Sequence, residues 1–217
     1  PFSGAMDNRN YLIANYLVSN KKNTPTIEFA YQGPLLKFHG KKTYVAITGD
    51  VNFKILRKNS KFEKGNCYQT YCLMNGDEID ILSTNKSVYG YFAVNDGLDT
   101  ELFWESCSTN TKAKIGANNG EKIQLGDQIL IFESKKNILH RKINYINTKI
   151  QFIRVIKGTN YDYFSQEEKN IFFSKTFSVS KLTDRMGMRL EGIQIKNIAK
   201  PNIKSEGLIK GVIQIPP

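Results

Sequence analysis

The chain has 217 residues, 40% of them hydrophobic and 12% aromatic, which is enough for a packed core and argues against intrinsic disorder. Its net charge of +11 comes from 25 lysines and six arginines scattered along the sequence, so biased composition accounts for the charge and a nucleic-acid binder is not the reading. Cys67, Cys72 and Cys107 form no CxxC pair and His39 and His140 are the only histidines, which excludes a histidine-rich metal centre and fits reduced thiols.

No apolar run approaches bilayer length and no secretory signal is read, so the cytoplasm is the expected compartment and no membrane is expected as a partner. Near the start, Asp7 is a good N-cap and predicts a helix over 8–18, with Leu12, Ile13, Tyr16 and Leu17 as its buried stripe. Ile27, Phe29 and Tyr31 alternate with polar or small residues and predict a strand over 26–32, interrupted by Gly33-Pro34 and continued over 35–38. Strands over 43–48 and 51–57 flank the hairpin dipeptide Gly49-Asp50. A charged loop is expected from Lys58 to Gly65. Strands over 68–73 and 78–82 flank Asn75-Gly76-Asp77, and further strands are expected over 88–94 and 124–132. Gly76-Asp77 and Gly126-Asp127 read as one recurrent strand-entry turn.

Asn95 to Gly120 is long for a loop in a compact domain. It holds Trp104, expected to anchor the loop by packing, and Ser106, Cys107 and Ser108. No histidine lies near Cys107 in sequence to activate it as a nucleophile. Later, 151–156 reads as a strand, and Ser165 with Glu168 forms a capping box that predicts a short helix over about 166–172. Strand-type segments follow at 193–198 and 211–215, and Pro216-Pro217 stops the second of them. Strands at this density with few helices indicate a mainly β protein, a barrel or sandwich.

The least generic run is Ser178 to Gly192. Read as a strand, it places Met186, Met188 and Leu190 on one face, and Arg185, Gly187, Arg189 and Glu191 on the other. A glycine in mid-strand often marks close approach by a ligand, and two flanking arginines can grip a carboxylate or phosphate. The plainer reading is that Arg189 and Glu191 neutralise each other. Gln214 shares a face with Val212 and reads equally as a core-edge group or as a group aimed into a site.

Ser180-x-x-x-Asp184-Arg-Met-Gly-Met-Arg-Leu-Glu-Gly192, followed by Ser205-Glu206-Gly207 and Gly211-Val-Ile-Gln-Ile-Pro216, resembles the family called allophanate hydrolase subunit 2. Its members are also described as the C subunit of 5-oxoprolinase, as the biotin-dependent carboxyltransferase domain of urea carboxylase, and as the antagonist of a sporulation-kinase inhibitor. Ser3-Gly4-Ala5-Met6-Asp7, Tyr91-Phe92-Ala93-Val94, Ser106-Cys107-Ser108-Thr109 and Ile153-Arg154-Val155-Ile156 carry the resemblance along the whole chain. Asp184 stands where many members have Asn. Members extend further at both ends, so the chain resembles the middle part of a member. The division expected from this is a first β-rich region over 1–148 and the start of a second, truncated one over 149–217.

The resemblance implies a cyclophilin-like β-barrel architecture with a few short helices. It implies an ATP-dependent 5-oxoprolinase complex that converts 5-oxo-L-proline to L-glutamate. In that complex this chain is joined by a kinase-inhibitor-like subunit, together with a third one. Arg185, Gly187, Arg189, Glu191 and Gln214 are then the expected substrate-binding set, with Glu191 positioning Arg189, and Ser106, Ser108 and Glu206 are possible loop contacts. The sequence isolates no catalytic base. The carboxyltransferase branch implies biotin as cofactor instead, and a third branch implies a non-enzymatic antagonist of the inhibitor-like partner.

Overall fold

The computed structural model describes residues 4–134, 137–144, 151–198 and 207–216. The chain divides into two compact units, residues 1–147 and residues 148–217.

Unit 1 opens with α1 (Asn8–Leu17), capped by the Asp7 carboxylate, which accepts the Asn10 N–H at 3.0 Å. Eight strands follow: β1 (Ile27–Ala30), β2 (Leu35–Lys37), β3 (Lys42–Thr48), β4 (Val51–Leu56), β5 (Phe62–Lys64), β6 (Thr70–Met74), β7 (Glu78–Thr84) and β8 (Tyr89–Val94). They form two four-stranded sheets with orders β1-β8-β3-β6 and β2-β7-β4-β5, and every pairing is antiparallel.

The alternation seen in the sequence sets which side chains face inward. Val51, Phe53 and Ile55 of β4 meet Ile79 and Ile81 of β7, Val45 and Ile47 of β3, and Phe92 and Val94 of β8 in one core between the sheets. A second cluster joins α1 to the outer face of the first sheet through Ala14, Leu17 and Val18 against Ala46, Tyr91 and Ala93. The small alanines let the helix lie close to the sheet. They also rotate the expected stripe, because Tyr16 is left exposed while Ala14 and Asn15 are buried. Asn15 is tolerated inside because its Nδ2 donates to the Thr24 carbonyl at 3.0 Å and its Oδ1 accepts from Asn20 at 2.9 Å.

Two polar ties fix the layers. Tyr91 Oη donates to Glu28 Oε2 at 2.8 Å and accepts the Asp7 N–H at 2.7 Å, so the start of α1 is held on β8 and β1. At the opposite layer, Asp77 accepts from Arg57 at 2.9 Å, from the Lys58 N–H at 3.0 Å and from the Met74 N–H at 3.1 Å. Asp77 and Asp127 close the same kind of turn. Each carboxylate takes the N–H three residues back, at 3.1 Å from Met74 and 2.8 Å from Gln124, after a glycine at φ 89° or 92°.

Several local expectations differ from the structure. β5 lies inside the segment read as a charged loop, and pairs Lys54 with Lys64 and Leu56 with Phe62. Residues 124–132 form no strand, and only an isolated bridge joins Ile131 to Leu98. Trp104 does not anchor its loop, being 82% exposed. It sits at a tight turn where backbone geometry, not burial, decides its direction.

Unit 2 holds α2 (Gln166–Ser174) and a short antiparallel pair, β9 (Ser178–Val179) with β10 (Leu190–Glu191). Ser165 Oγ accepts the Glu168 N–H at 3.2 Å, while Glu168 accepts the Lys196 N–H at 3.0 Å, so only the forward half of the capping box forms. Segments 151–156, 193–198 and 211–215 run without ladder partners among the described residues and are not strands. Ile195 is the one large apolar side chain buried in the described part of this unit. The mainly β fold with few short helices is as expected for the family.

Candidate anion-binding site

Ser178 to Glu191 is a hairpin rather than one continuous strand. Only two rungs pair, Val179 with Leu190 and Ser178 with Glu191, and the Ser180 N–H extends them by donating to the Arg189 carbonyl at 2.8 Å. Side-chain hydrogen bonds then turn the chain. Asp184 Oδ1 accepts the Met186 N–H at 2.8 Å and the Gly187 N–H at 3.2 Å. Thr183 Oγ1 accepts the Arg189 N–H at 3.1 Å and donates to the Arg189 carbonyl at 3.4 Å.

This corrects the face assignment made from alternation. Met186 and Met188 are 62% and 67% exposed, so they do not form the expected buried face in the described structure. Local hydrogen bonds from Asp184 and Thr183 outcompete the ladder that would have imposed a period of two.

Arg185 lies in the turn and Arg189 at the start of the return strand, and both are exposed. Partial desolvation lowers the Arg185 pKa below the ordinary 12.5. The group stays cationic at neutral pH. Among the described residues Arg189 has no carboxylate partner. Glu191 does not hold it, because its Oε1 accepts from Ser180 Oγ at 2.5 Å. The expected Glu191–Arg189 pair is therefore replaced by a Ser180–Glu191 pair that ties the two strands. Alternation assigns no part to Ser180 or Thr183. The signal available for them was the hydroxyl-rich Ser-x-x-Thr-Asp spacing before a glycine.

Gly187 has open space where a side chain would be, with nothing within 4 Å of an added Cβ, and its φ is not in the left-handed region. Its glycine is therefore required neither by packing nor by backbone conformation within this unit. Gly192 is different, since an added Cβ would lie 2.8 Å from the Phe177 ring. Gln214 is exposed in an extended segment after the turn at Gly211, and no hydrogen bond joins it to the hairpin among the described residues. Glu206 lies outside the described residues.

Ser106 and Ser108 belong to unit 1. Ser106 exchanges backbone hydrogen bonds with Phe103 at 2.9 and 3.1 Å, and its Oγ accepts the Ser108 N–H at 3.1 Å. Burial pushes the nearby Cys107 thiol upward, which is the wrong direction for a nucleophile. Among the described residues no group of three or more His, Cys, Asp or Glu could hold a metal ion, and no helix is long and apolar enough to cross a membrane.

The architecture defines a mainly β protein whose most distinctive polar feature is an arginine-bearing hairpin. The chain belongs to the family of carboxyltransferase domains, subdomains A and B, whose model matches residues 1–217. It is 27% identical to the C subunit of 5-oxoprolinase from Escherichia coli, over 98% of this chain and 67% of that protein. It is 29% identical to urea amidolyase of Saccharomyces cerevisiae, over 88% of this chain and 11% of that much longer protein. Among solved structures, the crystal structure of TTHA0988 superimposes with a TM-score of 0.73 at 26% identity, covering 89% of this chain and 69% of that one. The K. lactis urea amidolyase structure superimposes with a TM-score of 0.72 at 22% identity, covering 92% of this chain and 13% of that one, which supports the fold alone.

Proposed function

We propose that this chain is part of an ATP-dependent 5-oxoprolinase and that its hairpin over 180–191 binds the anionic substrate or product. The observation that carries the reading is an exposed Arg189 guanidinium without a carboxylate partner among the described residues, beside open space at Gly187. The similarity to 5-oxoprolinase C subunits over nearly the whole chain supports the choice of substrate.

5-Oxo-L-proline carries one carboxylate and L-glutamate two, so a cationic contact is useful throughout turnover. A guanidinium presents two parallel N–H groups to a carboxylate, and Arg185 and Arg189 can share the charge that develops as the lactam opens. ATP supplies the free energy for opening a stable amide within the complex. Ser180 and Thr183 hold the hairpin so that Arg189 keeps its place. Two further subunits, one of them kinase-inhibitor-like, complete the assembly in this reading, and the catalytic base is left to the complex.

The test is Arg189→Ala in the reconstituted complex. Glutamate formation with ATP falls by about a hundredfold or more, as for loss of a charged group from a preorganised oxyanion site, while the folded signal is unchanged. Gly187→Ala should raise KM with little change in stability, since only a ligand would meet the new methyl group. Unchanged turnover in both variants would refute the assignment.

A second reading has its own support, because the matching family model is a carboxyltransferase and the urea amidolyases match as well. In that reading the same arginines face a carboxylate carried by biotin. A carboxylated product formed only with a biotinylated carrier would favour it over lactam opening.

A further inference from the structure

From Ser87 to Thr111 the chain carries no lysine or arginine, although the whole protein has a net charge of +11. Within this interval Asp96, Asp99, Glu101 and Glu105 are all exposed. These acids flank a two-residue turn. Trp104 and Glu105 occupy it with φ of 50° and 61°, between the mutually bonded Phe103 and Ser106. Both positions need the left-handed region, which is why Asn-Gly is the usual choice. A tryptophan and a glutamate are strained there, and unit 1 gains no burial in return, since Trp104 is 82% exposed. The indole meets the Phe103 ring at a centroid separation of 4.9 Å, so the two aromatics form one projecting apolar tip with an acidic base. Strain maintained around an exposed aromatic points to recognition rather than packing.

A matching surface exists on the same unit. The outer face of the β2-β7-β4-β5 sheet sets Leu56 directly opposite Phe62, and both are exposed. An open cleft of about 340 Å³ includes Leu56 in its lining, with the charged groups Lys37, Arg57, Lys58 and Glu78. Lys64 lies directly opposite Lys54, a like-charge pairing that favours an incoming anion. Lys37 and Lys54 have acidic partners, Glu78 and Asp80, whereas Lys58 and Lys64 have none among the described residues. The face is thus apolar in the middle, with Lys37, Lys54 and Arg57 paired to acids and Lys58 and Lys64 left at the rim to complement the acidic tip.

We propose that the Phe103–Trp104 turn is an association element that seats on the Leu56–Phe62 face of a second copy of this chain. Glu101 and Glu105 approach Lys58 and Lys64, and the indole covers Leu56 and Phe62. Because the two surfaces differ, each contact joins the tip of one copy to the face of another, and association increases with concentration.

Sedimentation velocity on the full chain tests this across concentration and salt. The weight-average sedimentation coefficient should rise with protein concentration, and less so at high salt. Trp104→Gly should weaken association about thirtyfold or more while raising the melting temperature, because glycine accepts the turn geometry. Glu105→Lys and Lys58→Glu should each stay monomeric alone and should associate when mixed, since the swapped charges meet across one contact. A monomer at all concentrations overturns the proposal. So does association that Trp104→Gly and Glu105→Lys leave unchanged, or a mixture that behaves as its separate components.

Discussion

Asp77 is the polar residue whose loss should cost unit 1 most. It is 3% exposed and sits where the β6–β7 turn meets the end of β4. Its carboxylate takes three hydrogen bonds, from Arg57 at 2.9 Å, Lys58 N–H at 3.0 Å and Met74 N–H at 3.1 Å. Hydrogen bonds to a charged group are worth about 1.5–3 kcal/mol each. Lys58 and Met74 are exposed, so water replaces part of what their N–H groups lose. Arg57 keeps Glu63 at 2.7 Å and the Cys72 carbonyl at 2.7 Å. Asp77→Ala should therefore destabilise by about 3–5 kcal/mol, less than the sum of three such bonds because water and the remaining partners of Arg57 take up part of the loss. For a chain of this size that lowers Tm by roughly 7–11 °C.

Acid should act on the same group. Burial alone would raise the Asp77 pKa, but the amide hydrogens and the Arg57 guanidinium outweigh it and hold it below the ordinary 3.8. A depressed carboxylate pKa gives stability that is fully present above the unfolded value. That stability is lost as pH falls below about 4 and through the folded pKa. Thermal melts followed by far-UV circular dichroism at pH 7 and at pH 3 measure both effects. The wild type should lose more between those pH values than Asp77→Ala does. A loss under about 1 kcal/mol at pH 7, or an unchanged acid dependence, would refute the reasoning.

Three further outcomes follow from single contacts. Gly65→Ala should cost about 3 kcal/mol or prevent folding of unit 1, because the new Cβ would lie 2.0 Å from the Phe53 ring in the core; chemical denaturation checks it. Thr70→Val keeps the shape but strips a buried hydroxyl that donates to the Leu17 carbonyl at 2.8 Å and accepts the Arg141 N–H at 3.2 Å, so about 2 kcal/mol should be lost in the same assay. Burial raises the Tyr91 phenol to about 12 from 10.0, so its stabilisation is complete below pH 10 and is lost as pH rises through 12. Tyr91→Phe should flatten the alkaline limb of a stability–pH profile, at a cost near neutrality of about 1–2 kcal/mol, since the Asp7 N–H loses its acceptor while Glu28 keeps the Met6 N–H at 2.9 Å.

What the sequence made legible was local. Asp7 and Ser165 marked helix starts because a side-chain oxygen three residues before an orphan N–H is a short-range device, and both caps form. Gly49-Asp50 marked the turn after β3, but not its outcome: β3 and β4 enter different sheets, so the turn is a crossing between layers and not the expected hairpin. Less visible was anything decided across the fold. Leu12, Ile13 and Tyr16 looked like the buried stripe of α1, but Ala46 and Ala93 on the facing strands select Ala14 instead. The β5 strand hides in a polar stretch because its pairing with β4 supplies what its composition does not.

The arginine hairpin lies between these cases. A continuous strand would have separated Arg185 and Arg189 by four residues on one face, roughly 13 Å apart at about 3.3 Å per residue. Asp184 and Thr183 instead reverse the chain, so the spacing of the two guanidinium groups is set by a turn. The atom of residue 184 that closes this turn is Oδ1, as an acceptor for two N–H groups. Asparagine offers the same acceptor, so the asparagine that the family resemblance leads one to expect at this position is compatible with an identical turn. Aspartate differs by one negative charge beside Arg185. On that account, the geometry of the proposed anion site is a property of the hairpin shared by both residues, while the field that an incoming anion would meet there is more positive with asparagine than in this chain.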